Sequence, residues 1–241
     1  MRLRDFRVLT FDCYGTLIDW ESGIYAALQS LLAKRATACD RDQVLEEFGR
    51  HESAQQSETP GLRYRDLLAV VHRRLANAWS VPTSDDDDRR FGHSVGDWPA
   101  FPDSAEALAY LKRHYQLVIL SNVDRDSFRL SNARLGVAFD AIYTAEDIGS
   151  YKPDRRNFGY LLGALSERGF RRGDILHTAQ SLFHDHVPAK EADLATAWID
   201  RRHEQAGWGA TPPVATPRYD FRFDSLGAMA QAHSAEAQPS V

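Results

Sequence analysis

Cysteine is scarce in this chain. Two thiols, Cys13 and Cys39, stand among 241 residues. They cannot form the disulfide framework of a small secreted domain, so a reducing compartment fits and a cytoplasmic location is expected. No apolar run approaches the roughly 18 residues that a membrane span needs, and Met1-Arg2-Leu3-Arg4-Asp5 offers no apolar signal core. Lysine is rare too: Lys34, Lys112, Lys152 and Lys190 are the whole set, and arginine carries the remaining basic charge. There is no basic block, and the formal net charge is -5, which argues against nucleic acid as a partner. No internal repeat is visible. What is present is a chain that is 43% apolar. It is long enough for one large domain, or for a core with a smaller domain inserted.

The pattern of elements favours the second arrangement. Val8-Leu9-Thr10-Phe11 is a β-favouring run that ends in Asp12, with Gly15 just beyond to turn the chain. Helical spacing follows over Ile24 to Leu32, then from Asp40 as a cap through Phe48 with a polar continuation over 49–56. Thr59-Pro60-Gly61 breaks the chain, and Tyr64 to Trp79 forms a further amphipathic helix. Asp85 to Asp88 reads as a solvated helix start that complements the helix dipole, rather than as a metal site. Residues 19–98 therefore read as an inserted helical domain.

From Phe101 onward helices and strands alternate. A helix starting at Pro102-Asp103-Ser104 is followed by strands at Gln116 to Leu120, Ala141 to Thr144, Ile175 to Thr178 and Ala195 to Ile199, with Tyr219 to Phe223 as an edge strand and Ser225 to His233 as a closing helix. The segment 180–187 reads as a loop, and 234–241 as a frayed end. The expected fold is α/β: a Rossmann-like parallel sheet built from 1–18 and 99–241, with the helical insertion 19–98 acting as a cap.

Polar residues fall where such a sheet collects ligands. Asp12, Ser121 and the 180–186 segment each follow a buried strand at its carboxyl end, and those ends face one crevice. Lys152 precedes a helix and can reach the same place. It would keep Asp12 ionised and oriented. Asp12 so placed is a nucleophile, a base, a metal ligand or a helix cap. Asp185 is the candidate base for activating water. His184 and His186 change its charge environment and can shuttle protons. Two histidines two apart in a loop, with no third His or Cys ligand evident, make a poor metal set, so no metal and no cofactor are expected. Cys13 alternates away from Asp12 and reads as packing, while Tyr14 reads as lining the pocket. Trp20, Tyr25, Trp79 and Trp98 read as core.

Three segments, in order, resemble motifs of the haloacid dehalogenase superfamily: Phe11-Asp12-Cys13-Tyr14-Gly15-Thr16, Leu120-Ser121-Asn122 and Tyr151-Lys152-Pro153-Asp154. The superfamily's nucleophile is the first Asp, and its phosphatases have a second Asp two positions on, where this chain has Tyr14. Asp-x-Tyr-Gly-Thr resembles the L-2-haloacid dehalogenase branch, which displaces halide from carbon without a metal. The resemblance implies that Asp12 forms an ester with a small 2-substituted carboxylic acid, hydrolysed to a 2-hydroxy acid. It implies that Thr16 hydrogen-bonds Asp12, that the Ser121 hydroxyl holds a charged oxygen, and that backbone amides hold the oxyanion. Arg50 in the cap, Asn122 and an aromatic before the fourth motif's acid would cradle the leaving halide or the carboxylate. Here His184 holds that aromatic position, with Phe183 beside it. Dehalogenases of this type are often dimers, so a homodimer through the apolar faces of the helices from Ile24 and Tyr64 is expected, unless those faces pack on each other.

Two departures stand out. Leu182 replaces the asparagine of the family's Ser-Ser-Asn-x-x-Asp segment, and Phe158 stands where a tyrosine is expected after the lysine. They leave room for other readings. One is a ring-opening hydrolase of a strained cyclic amino acid, like azetidine-2-carboxylate hydrolase of the same superfamily. Another is a Mg²⁺-dependent phosphatase, against which Tyr14 counts. The last, a non-catalytic binding protein, leaves Asp12, Lys152 and Ser121 together without a reason.

Overall fold

The structure is a computed structural model that describes residues 1–205 and 207–236. Its centre is β1 (Val8–Phe11), with all four residues buried. A strand covered on both faces reads as an unbroken apolar run. The one polar member, Thr10, has its hydroxyl paired with His177 Nδ1 at 2.8 Å.

The helical insertion follows as α1 (Trp20–Ala27), α2 (Gln29–Leu32), α3 (Arg41–Glu58), α4 (Tyr64–Ala78) and α5 (Asp85–His93). The chain then returns through α6 (Ser104–Leu111), β2 (Gln116–Ser121), α7 (Arg125–Leu135), β3 (Ala141–Thr144), α8 (Ala145–Ile148), α9 (Arg155–Glu167), β4 (Ile175–Ala179), α10 (Val187–Glu191), β5 (Ala195–Ile199), β6 (Phe221–Phe223) and α11 (Leu226–Ala235). The six strands form one parallel sheet in the order β3-β2-β1-β4-β5-β6.

Side-chain alternation divides the core between the two faces of the sheet. Leu9, Phe11, Leu117, Ile119 and Leu176 pack on one side, and Val8, Val118, Leu120 and Ile175 pack with Phe158, Leu161 and Leu165 on the other. Fully burying each such side chain contributes about 1.5–3 kcal/mol. The register pairs Phe11 with Ile119 on one neighbour and with Thr178 on the other. The carboxyl ends of β1 and β4 thus finish level at Asp12 and Ala179, and β2 runs one residue further, to Ser121. The two chain crossings into and out of the insertion lie side by side: Asp19 N donates to Pro99 O at 2.8 Å, and Phe101 N to Leu17 O at 3.0 Å.

The elements differ from the sequence reading in several places. The helix expected over 24–32 starts earlier, where Asp19 caps Ser22 N, and breaks after Ala27. Neither Asp103 nor Ser104 caps α6. Asp103 pairs instead with Arg201 and Gly227 N, and Ser104 Oγ donates to Leu17 O. Of the four adjacent acids, Asp88 turns inward to His72 and Arg73. The 182–186 stretch is a π-helical turn rather than a loop. The faces of α1 and α4 proposed for a dimer are buried within the chain, with Ile24, Leu67, Leu68, Val71 and Leu75 fully covered. Among the described residues, no helix is long and apolar enough to cross a membrane.

Candidate active site

Lys152 is the hub of the strand ends. Its side chain is 1% exposed, and Nζ donates to Asp12 Oδ1 at 2.9 Å, Leu120 O at 2.9 Å and Asp185 Oδ1 at 2.6 Å. Three donors meet three acceptors, so the ammonium is saturated. Burial disfavours its charge, but the two carboxylates overcome this and raise its pKa. Burial pushes the Asp12 carboxyl up, and the neighbouring Asp185 adds to the push against the opposing Lys152 and Thr16. For Asp185 burial also acts upward, but the Lys152 charge and the His177 hydrogen bond win and hold it below the usual carboxylate range. Two carboxylates therefore share one ammonium, and Asp12 bears the strain of the excess charge.

The turn after β1 fixes the second Asp12 oxygen. Thr16 Oγ1 donates to Asp12 Oδ2 at 2.8 Å and accepts from Gln180 N at 2.9 Å. Gly15 has φ +91°, and a Cβ there would lie 3.0 Å from both Gln180 Oε1 and Trp20 Nε1, so the turn requires glycine. Asn122 clamps the lysine's backbone: its Oδ1 accepts from Lys152 N at 2.7 Å and its Nδ2 donates to Lys152 O at 3.0 Å. Ser121 Oγ is buried and has no partner among the described residues. Tyr14 lines the site, but its hydroxyl pairs with Ser131 Oγ at 2.8 Å rather than with Asp12.

The π-helical turn presents Asp185 and His184 together. Asp185 Oδ1 also pairs with His177 Nε2 at 3.0 Å, and its Oδ2 is buried with no partner among the described residues. Nothing in the sequence reading singled out His177, which sits inside β4 and is packed edge-on by Phe158 at 5.0 Å. Ser181 Oγ accepts from His184 N at 2.9 Å and also pairs with His184 Nδ1 at 3.2 Å. The other ring nitrogen, Nε2, is buried and has no partner among the described residues. Burial lowers His184 to about 4, so the ring is neutral at pH 7. His186 also drops to about 4 through burial. It does not join the site: its Nε2 bonds Ala179 O at 3.0 Å. Phe183 stands outside as well, edge-on to the His184 ring at 4.9 Å.

The helical insertion closes the crevice with a polar face. α3 does not end near Phe48 but runs on to Glu58, and its buried side continues from Val44, Leu45 and Phe48 through Glu52, Gln55 and Gln56. Arg50 lies on the outer side, with its side chain 65% exposed and its guanidinium near Glu47 and His51. It borders a separate cavity of about 470 Å³ with Trp208 and Pro212. The expectation that Arg50 binds an anion beside Asp12 is therefore corrected, because two helix positions turn a side chain to the opposite face. Glu52 takes the place on the cavity shared with Asp12. It is 2% exposed and accepts from Tyr64 Oη at 2.6 Å.

Asp12, Tyr14, Glu52, Asn122, Lys152 and His184 border a cavity of about 30 Å³, room for about two waters. Thr211 closes one side. The loop that carries it lies against α3 because Gly49 leaves space, a Cβ there falling 2.2 Å from Ala210 O.

Burial raises Glu52 to about 7 from 4.5, against the pull of the Tyr64 hydrogen bond. The folded chain thus binds this proton more tightly than the unfolded one. The stability it contributes is complete below about 4.5 and is lost as the pH rises through 7. Glu52→Gln is expected to unfold at higher urea than the parent at pH 8.5, by on the order of 3 kcal/mol, with the gain shrinking toward pH 4.5. An equal gain at both pH values would show an ordinary carboxyl.

A sequence model of the haloacid dehalogenase-like hydrolases matches residues 6–177. The (S)-2-haloacid dehalogenase of Pseudomonas putida is 24% identical over 219 residues, which cover 83% of this chain and 87% of that protein. The (S)-2-haloacid dehalogenase 4A of Burkholderia cepacia is 27% identical over 169 residues, covering 66% and 69%. The fold is shared with the L-2-haloacid dehalogenase of Xanthobacter autotrophicus with chloropropionic acid covalently bound, at TM-score 0.77 and 16% identity over 96% of this chain and all of the other. It is shared almost equally with the HAD-hydrolase YfnB of Bacillus subtilis bound to magnesium, at TM-score 0.74 and 15% identity over 97% of this chain and all of the other. The chain therefore belongs to the haloacid dehalogenase-like hydrolases.

Proposed function

We propose that the protein is a metal-independent hydrolase that displaces a leaving group from the 2-carbon of a small carboxylic acid, with Asp12 as the nucleophile. The observation that carries this reading is the Lys152 ammonium held between Asp12 and Asp185 at 2.9 and 2.6 Å. Before reaction the site holds one carboxylate too many. When an Asp12 oxygen bonds to the substrate carbon and the leaving group takes the electron pair, Asp12 becomes a neutral ester, and Lys152 and Asp185 remain as a balanced pair. The site's electrostatics thus favour the esterified state. Water then attacks the ester carbonyl and restores the Asp12 carboxylate, releasing a 2-hydroxy acid and a proton. Asp185, with Oδ2 unpartnered, orients that water and accepts its proton. With its proton on Nε2, the neutral His184 ring would donate to the leaving group or the substrate carboxylate, while Asn122, expected to share that work, holds the Lys152 backbone instead. Tyr14, where superfamily phosphatases have their acid, is a phenol rather than a carboxyl and has its hydroxyl paired with Ser131.

The test is a single turnover in H₂¹⁸O with EDTA, enzyme in excess, using L-2-chloropropionate, followed by mass spectrometry of the Asp12 peptide. One ¹⁸O in Asp12 together with released chloride is expected, because the water oxygen enters the aspartate and the product keeps the old one. Turnover only after Mg²⁺ is restored, and only of phosphate esters, would overturn the reading.

A further inference from the structure

The cavity's charge does not suit a simple anionic substrate. Three carboxyl groups border it, Asp12, Asp185 and Glu52, against the single ammonium of Lys152. That ammonium has no donor left to give. A 2-haloacid would bring a further negative charge next to Glu52 without meeting a cation that is free to pair. Glu52 is also the one of the three with no cation of its own among the described residues. Oε1 takes the Tyr64 hydroxyl at 2.6 Å, and Oε2 carries no hydrogen bond to any described residue. A buried carboxyl without a counter-ion is costly, and chains keep one where a ligand supplies the opposite charge. Its position matters as much as its charge. It comes from α3 across the cavity from the strand ends, so a molecule attacked by Asp12 from one side meets Glu52 with the other.

We propose that Glu52 is the counter-ion for an ammonium nitrogen carried on or next to the 2-carbon of the substrate. The substrate class is then a zwitterionic 2-substituted acid, such as a strained cyclic amino acid whose ring nitrogen is the leaving group, rather than a plain haloacid. This rests on the displacement reading given above. In the ring-opening case the Asp12 oxygen bonds to the 2-carbon as the C–N bond breaks. The pair goes to the ring nitrogen, which enters as ammonium and leaves as a neutral amine tethered to the product. Glu52 holds that nitrogen through the step. The Tyr64 hydroxyl positions the carboxylate, and Gln56 and Thr211 fill the neighbouring wall.

The experiment compares L-azetidine-2-carboxylate with L-2-chloropropionate, for the parent and for Glu52→Gln, with ¹⁸O in the Asp12 peptide as the shared readout. The parent is expected to favour the azetidine. In the variant kcat/KM for the azetidine falls by about 100-fold, chiefly through KM, while that for chloropropionate rises because a like charge is gone. A change of the same direction and size for both compounds overturns this inference alone. No label in Asp12 from either compound overturns the displacement reading and this inference with it. A binding comparison needs no Glu52 variant. In the Asp12→Asn protein, L-proline is expected to bind at least tenfold tighter than cyclopentanecarboxylate, which has the same ring without nitrogen. Equal affinity, or preference for the plain acid, overturns the proposal.

Discussion

Lys152→Met lowers turnover by roughly 10³-fold or more and unfolding free energy by about 3–5 kcal/mol, the cost of removing one partner from a buried ion pair. The expectation follows from what the ammonium holds. Asp12, Leu120 O and Asp185 each take one of its donors, and all three acceptors lie where water is scarce. Without it, two carboxylates face each other. Asp12, already pushed up by burial and by Asp185, takes a proton, and a neutral carboxyl does not attack carbon. Urea titration and single-turnover kinetics on the same preparation check both halves. A variant with parental stability would show that the ammonium does not carry the pair.

Asp12→Asn moves stability the other way. On the proposed role of Asp12 as nucleophile, turnover is expected to fall by roughly 10⁴-fold or more. Yet Lys152 keeps Asp185 as a single balanced partner, and the excess buried charge disappears. A gain on the order of 1 kcal/mol is expected, read as a higher urea midpoint at pH 7. Opposite signs for two substitutions at atoms 2.9 Å apart would be hard to obtain from packing alone. A loss of stability in Asp12→Asn would instead mean that the carboxylate is worth more to the fold than its burial costs.

The strand-end residues were legible because a parallel sheet leaves little choice about where its carboxyl ends point. Asp12, Lys152 and Asp185 come together as that argument requires, whereas Thr16 and Asn122 were named only through the family resemblance, and the buried run at Val8–Phe11 announced the central strand. The helical side of the site was not read. The apolar pattern of α3 stops at Phe48, and the following residues look like a solvated continuation. The signal was present nonetheless: Glu52, Gln55 and Gln56 continue the spacing of Val44, Leu45 and Phe48, so a helix face that turns polar while keeping its period points at a site. Counting on that face would have discarded Arg50 and found Glu52. His177 was hidden for another reason. Inside a buried strand it looks like core, and only the neighbouring Asp185 shows what its ring is for. The π-helical turn has no sequence signature of its own, so the placement of Phe183 and of the buried His186 away from the cavity could not be foreseen.

The central strand also sets a clock. Asp12 is held by a lysine 140 residues further along, which in turn is held by Asp185, and β1 has no sheet neighbour until β2 and β4 arrive. Pairings so distant in sequence close late and slowly. During synthesis the aspartate is therefore an ordinary solvated side chain for most of the chain's emergence. The charge pattern around it, two carboxylates on one buried ammonium, is a property of the assembled strands and of no shorter stretch of chain.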